Sequence, residues 1–139
     1  MLYHLDLKTT NTIHIFIIGV VFLLIGILKE NTYKGLYILL ALLALCIPIL
    51  MPIPGLRLSY WSTIKALHWL VFLPAILYFS WLGYTLENKK GFSEDTYNIV
   101  LFLGIFIILY HSYKLYIRVS RTKNISDDHS HSNTHNHSH

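Results

Sequence analysis

Four long apolar runs, each near the length of a membrane-crossing helix, most constrain what this chain can form. A helix needs about 20 residues, and at least ~17, to cross the ~30 Å hydrocarbon core of a bilayer. Four segments meet this length: residues 12–28, 34–51, 64–84 and 97–117. None alternates between apolar and polar residues as the strands of a membrane barrel do. The runs therefore predict an all-α protein with four membrane-crossing helices.

Composition favours lipid as the surroundings of these helices. Hydrophobic residues make up 54% of the chain and charged residues only 13%, against roughly 45–50% and about 25% in soluble domains. The net charge of +4 is concentrated beside the apolar runs, which suits anionic lipid headgroups and disfavours nucleic acid as a partner. We expect an integral membrane protein whose first partner is the lipid bilayer.

Short connections between the runs predict antiparallel neighbouring helices in a four-helix bundle. Four crossings place both termini and the link between the second and third helices on one side of the membrane. That side holds seven lysines and arginines and the other side four. Because the more positive side faces the cytoplasm, we expect both termini in the cytosol.

The chain divides into a transmembrane domain, residues 1–118, and a polar tail, residues 119–139. The tail has no apolar residue after Ile125, so we expect it to be disordered in the cytosol. Its histidines form a composition typical of metal binding, and the candidate ligands are His129, His131, His135, His137 and His139. A polar tail that needs no ligand fits the same composition.

Three histidines within the runs are the candidate functional residues. Ionisable groups inside a membrane are costly, so each one suggests a function. His14, His68 and His111 lie on the first, third and fourth runs. Counted from the flanking charges at ~1.5 Å per residue, they share a layer roughly 5–10 Å inside the cytoplasmic boundary.

Small residues accompany two of these histidines. Seven residues return a helix nearly to the same face, so His68 shares a face with Ala75, and His111 with Gly104. The pairs predict a gap beside the histidines that admits a neighbouring helix or a flat ligand. Gly19 and Gly26 form a separate stripe, which is typical of close helix packing.

Three interpretations of the histidine layer remain open. In the first, the rings are separate and bond to backbone carbonyls or to nearby hydroxyls, namely those of Ser62, Ser112, Tyr110 and Tyr113. In the second, His68 and His111 clamp the iron of haem b, or all three histidines bind a divalent transition metal. In the third, neutral imidazoles relay protons in a channel or transporter, which would require a homo-oligomer.

Three stretches of the chain resemble a group of small four-span membrane proteins encoded by large DNA viruses of algae and protists. These stretches are IHIFIIG, ALHWLVFLPAILYFSWLG and LFLGIFIILYHSYKLY. The resemblance implies four spans and a viral source, with a structural role in a membrane or envelope as one possible function. It implies no catalytic activity.

The sequence contains no paired nucleophile and base, acidic dyad or phosphate-binding loop. We therefore expect a non-enzymatic multi-pass membrane protein whose histidine layer holds haem b or a transition metal. An oligomeric proton or ion channel and a purely structural membrane protein are the alternatives.

Overall fold

The computed structural model describes residues 6–87 and 91–131, and these residues form four helices and no strand. We number the helices α1 (Leu7–Leu28), α2 (Lys34–Leu50), α3 (Tyr60–Thr85) and α4 (Glu94–His131). The all-helical fold predicted from the apolar runs is confirmed. Helices α1, α3 and α4 each contain one run, α2 contains all of its run except Met51, and polar residues extend three of the helices at their ends.

Three of the helices are long and apolar enough to cross a membrane: α1, α3 and the Glu94–Thr122 part of α4. The fourth, α2, is also apolar but has only 17 residues, which is the lower limit for a crossing. The expected second span, residues 34–51, therefore forms a shorter helix than the other three.

Polar side chains set where three helices begin. Asp6 accepts a hydrogen bond from the Lys8 backbone amide, and Ser59 accepts one from the Ser62 amide. At the start of α4, Ser93 accepts a bond from the Thr96 amide. Each bond satisfies an amide that has no partner inside its helix, so α1, α3 and α4 begin several residues before their apolar runs.

The helices associate as two pairs, α1 with α4 and α2 with α3. Glycines allow the first pair to approach closely. A Cβ atom added to Gly26 would lie 2.6 Å from the Leu101 Cα atom, and one added to Gly104 would lie 2.7 Å from the Leu23 backbone nitrogen. At these points backbone packs on backbone, as at interfaces between membrane helices that carry small residues.

Hydrogen bonds tie the second pair together at two places along α3. In the first half of α3, the Trp69 indole donates a hydrogen bond to the Met51 carbonyl at 3.3 Å. At its end, the Lys34 ammonium donates to the Gly83 carbonyl at 3.0 Å, and the Asn31 amide donates to the Leu86 carbonyl at 2.8 Å. These donors satisfy carbonyls that the last turn of a helix leaves without partners.

The buried core is small and lies at one end of the molecule. It contains Val21, Phe22, Ile25, Tyr37, Leu40, Tyr97 and Val100. Elsewhere, large apolar side chains point outward. Only 11% of the most apolar stretch of α3, and likewise of α4, is buried inside the protein. Soluble monomers rarely expose apolar surface on this scale.

Helix α4 crosses the position predicted as the boundary between the membrane domain and the tail, and the division into these two domains stays a prediction. Helix α4 continues past residue 118 and ends at His131, so His129 and His131 belong to the helix. No proline or glycine lies between Arg118 and His131 to interrupt the hydrogen-bond ladder. The remaining tail histidines, His135, His137 and His139, lie outside the described residues.

The close approach of α1 and α4 makes Gly104 sensitive to the smallest side chain. In Gly104→Ala the added methyl group meets the α1 backbone, and we expect a loss of about 1–3 kcal/mol in unfolding free energy. Gly35→Ala is the matched control, since a Cβ atom there meets nothing within 4 Å. Unfolding in detergent with increasing dodecyl sulfate measures both. Equal stability of the two variants would contradict the packing described.

Candidate functional site

The structure brings His14, His68 and His111 together from three different helices. The rings of His14 and His111 are stacked, with centroids 4.2 Å apart and planes 24° from parallel. The His68 ring meets His14 edge-on, with centroids 6.4 Å apart. All three are half-buried. We call these residues the histidine cluster.

Each ring of the cluster is held through its Nδ1 atom. Two rings bond to the backbone of their own helix: His14 Nδ1 lies 2.7 Å from the Thr10 carbonyl oxygen, and His68 Nδ1 lies 2.8 Å from the Ile64 carbonyl oxygen. The third, His111 Nδ1, lies 2.9 Å from the side-chain oxygen of Asn11 on α1. Asn11 is buried, at 6% exposure, so this bond joins α4 to α1 away from solvent.

These partners fix the tautomer of each ring. A carbonyl or amide oxygen accepts hydrogen bonds but cannot donate them, so each Nδ1 atom must carry the proton and donate it. In a neutral imidazole the other nitrogen, Nε2, then holds a free lone pair. The cluster therefore presents three Nε2 acceptors, one from each of three helices.

Both histidines that bond to their own helix begin a π-helical stretch. In α1 it covers His14–Gly19, and in α3 it covers His68–Phe72. The ring of each histidine competes for the carbonyl four residues earlier, which also accepts the backbone amide of that same histidine. π-Turns inside α-helices are uncommon and frequently mark functional sites. The sequence pattern indicates regular α-helix here and gives no sign of either stretch.

Of the two occupants predicted for the gap beside the histidines, a neighbouring helix is the one found at Gly104. Gly104 lies against the Leu23 nitrogen and the Gly19 carbonyl, so helix α1 fills the space, and Ala75 is exposed. Ala75 does not share the face of His68 because a π-turn lies between the two residues. Such a turn adds one residue and rotates the later residues of the helix by about 100°, which moves Ala75 off the face of His68.

Haem held by His68 and His111 stays a prediction, whereas the stacked rings leave no room for a macrocycle between His14 and His111. Iron held by two imidazoles sits about 2 Å from each nitrogen, which separates the ring centroids by more than the 4.2 Å seen here. Within residues 6–87 and 91–131, no group of three or more His, Cys, Asp or Glu side chains is arranged to hold a metal ion. In the described residues, the three histidines of the cluster are therefore not yet close enough to coordinate one ion together.

The hydroxyls considered as ring partners bond elsewhere or face outward. Ser62 donates to the Gly55 carbonyl, and Ser112 and Tyr113 are exposed. Tyr110 contacts His111 edge-on, with ring centroids 5.2 Å apart, and also faces the Lys114 ammonium. The partner that sequence reasoning misses is Asn11. Its position three residues before His14, on the same helical face, is the available signal.

A single cation stands next to the cluster among the described residues that surround it. The Lys114 ammonium donates a hydrogen bond to the Tyr60 hydroxyl at 3.2 Å and lies 4.8 Å from the centre of the Tyr110 ring. This contact links the beginning of α3 to α4, one turn beyond His111. The charge is therefore satisfied by aromatic groups and leaves the imidazole nitrogens free.

Deeper polar groups do not continue from the cluster within one copy of the chain. Tyr78 on α3 is 63% exposed and points outward, and Ser80 is buried with its hydroxyl unpaired among the described residues. A proton path would therefore need groups from a second copy.

No family model matches this chain, and the searches of curated proteins and of solved structures found no similar protein. The geometry of the cluster is therefore the basis for a functional proposal.

The hydrogen bonds of the cluster predict that all three rings are protonated on Nδ1. The test uses a variant, called the three-histidine variant, in which His4 and the five tail histidines are replaced by glutamine. With ¹⁵N-labelled histidine in lipid bilayers at pH 8, we expect three Nδ1 signals typical of N–H and three Nε2 signals typical of a bare nitrogen. Protonated Nε2 signals from these rings would contradict the bonding pattern.

Proposed function

We propose that this chain is a non-enzymatic, multi-pass integral membrane protein that binds one divalent transition-metal ion through His14, His68 and His111. The observation that carries the proposal is the convergence of three imidazoles, each with Nδ1 bonded to a protein oxygen. Metal-binding histidines almost always donate their second ring N–H in this way, which fixes the ring and raises its basicity.

The membrane part of the proposal rests on the outward apolar faces and on the charges. We place α1, α3 and α4 across the bilayer, with α2 as a short fourth crossing in an antiparallel four-helix bundle. The termini and the link between α2 and α3 are then on the cytosolic side, which carries the excess of lysine and arginine. The histidine cluster is at this same end of the bundle.

The metal part rests on the donor set. Imidazole nitrogen suits zinc, copper, nickel and iron, whereas calcium and magnesium prefer oxygen. Three histidines with a fourth position open to water form a common site for zinc. A haem group is less well supported, because α1 fills the space at Gly104 in which the macrocycle was expected.

Closing the site requires movement of α3 toward the pair formed by α1 and α4. His14 and His111 belong to that pair, which the glycine contacts hold rigidly, while His68 belongs to the other pair. Bound metal would then join the two pairs at the cytosolic end. We infer a structural or sensing role, in which metal occupancy sets how firmly the pairs associate.

The tail fits this role. His129 and His131 lie on α4 itself, 18 and 20 residues beyond His111, and so on the same side of the membrane as the cluster. At ~1.5 Å per residue they lie about 27–30 Å along α4 from His111, so they would bind metal ions separately from the cluster.

Zinc competition against a coloured chelator tests the proposal in the three-histidine variant, whose tail cannot bind the ion. We expect one zinc ion per chain, and cobalt in its place should give the visible absorption of a four-coordinate site. Each of the substitutions His14→Ala, His68→Ala and His111→Ala should abolish this absorption. Asn11→Ala, which removes the partner of His111, should weaken binding about 10- to 100-fold.

Cys46→Ser is the control, because Cys46 offers a strong metal ligand on α2 outside the cluster and its loss should leave the affinity unchanged. Zinc binding that survives replacement of all three histidines would contradict the proposal. A preparation with a Soret band that depends on His68 and His111 would also contradict it, in favour of haem.

A further inference from the structure

We propose that the link between α2 and α3 binds the phosphate group of an anionic phospholipid, using Arg57 and Lys65. This inference rests on the membrane placement proposed above and does not depend on metal binding. It assigns a second site, at the cytosolic end of the protein but separate from the histidine cluster.

A groove of about 420 Å³ carries the inference. It is open on one side and is lined by Gly55, Leu56, Arg57, Ser59, Trp61 and Lys65. Arg57 comes from the link and Lys65 from the second turn of α3, so the two positive charges meet at one groove. Neither has an acidic partner among the described residues, where the ion pair found is Lys29 with Glu94. Two unpaired cations at a groove attract a phosphate.

The residues on either side of Arg57 indicate where the rest of the ligand lies. Leu56 and Leu58 are both fully exposed, and Ile53 is 78% exposed. Moving a leucine side chain from water into an apolar environment is favourable. Three apolar side chains around one arginine therefore favour insertion among acyl chains, with the guanidinium reaching back to the headgroup.

Aromatic side chains at the start of α3 fit the same depth. Tyr60 and Trp61 are more than half exposed and contact each other edge-on, with ring centroids 5.6 Å apart. Tyrosine and tryptophan collect at the headgroup level of membranes. The link is also anchored, because the Ser62 hydroxyl donates a 2.6 Å hydrogen bond to the Gly55 carbonyl. The groove is thus held against α3 at the level of the headgroups.

These features favour a phospholipid over free phosphate. A free anion would use only Arg57 and Lys65, and it would leave Leu56 and Leu58 in water. A phospholipid supplies a phosphate for the charges and two acyl chains for the leucines. A phosphatidylglycerol headgroup has a net negative charge that can pair with the two cations. A phosphatidylcholine headgroup is neutral overall, because its choline offsets the phosphate.

The experiment compares two variants that lose the same charge. Arg57→Gln with Lys65→Gln removes the groove cations, and Arg118→Gln with Arg121→Gln removes two exposed cations from α4 at the same end. Each protein is placed in nanodiscs of phosphatidylcholine with a minor fraction of phosphatidylglycerol, then released into the gas phase for native mass spectrometry. The measured quantity is the amount of each lipid that remains bound.

We expect the parent protein to retain phosphatidylglycerol in preference to phosphatidylcholine. The groove variant should lose this preference by about fivefold per charge removed, or on the order of 30-fold in all, and the α4 variant should keep most of it. An equal loss in both variants would mean general electrostatic attraction and would overturn the site. So would full displacement of the lipid by millimolar inorganic phosphate.

Alkaline carbonate extraction of the same membranes separates the two proposals. If the parent and both variants stay in the membrane while the lipid preference is absent, the lipid site is wrong and the membrane placement stands. If the parent is released as a folded protein, the membrane placement fails, and the lipid site fails with it.

Discussion

The outward apolar surface of the helices is the constraint on which the rest of the structure depends. The buried core is confined to a few side chains near one end, while residues such as Phe16, Leu70 and Phe102 are about two-thirds exposed or more. Except opposite Pro48 and Pro74, which have no amide hydrogen, the backbone amides and carbonyls inside a helix bond within that helix, which is the condition for crossing lipid. Apolar faces that contact lipid carry no unfavourable free energy of hydration. The helices then need only a few close contacts to hold their positions.

Those contacts determine where the histidines meet. Gly26 and Gly104 let the backbones of α1 and α4 touch, and this close approach places the His14 ring on the His111 ring. The Asn11 side chain adds a hydrogen bond at the same level. Helix α3 is held mainly by α2, through Trp69 within the helix and Lys34 near its end. His68 therefore comes to the cluster from the other pair of helices, which meets the first pair in the core at the opposite end of the molecule.

Much of the fold could be predicted from the sequence, because apolar length is a strong signal. Except for Met51, the four runs fall inside the four helices, and the three histidines predicted to share a depth are neighbours. Finer features depended on contacts that no single run contains. The filling of the space at Gly104 by α1 required knowing which helices pair. The π-turns at His14 and His68 arise when a ring competes for a backbone carbonyl, and they displaced Ala75 from its expected face.

The tail shows a different limit of sequence reasoning. Polar composition distinguishes the residues after Arg118 from the apolar run, but composition alone does not end a helix. Without a proline or glycine, α4 continues to His131. Asn11 is a residue whose role in the site the sequence did not indicate. The sequence places it in a polar segment before the first run, whereas burial and its bond to His111 make it part of the site.

Collision accessibility of spin labels tests most directly whether lipid covers the outward faces. Single cysteines replace Phe16, Leu70 or Phe102 in a Cys46→Ser background, and a cysteine at Arg57 serves as the control near the membrane surface. In liposomes, the account predicts that the labels at the first three positions collide often with oxygen, which dissolves in lipid, and rarely with water-soluble chromium oxalate. Frequent collision with chromium oxalate at those three positions would show water on these faces and would contradict the account.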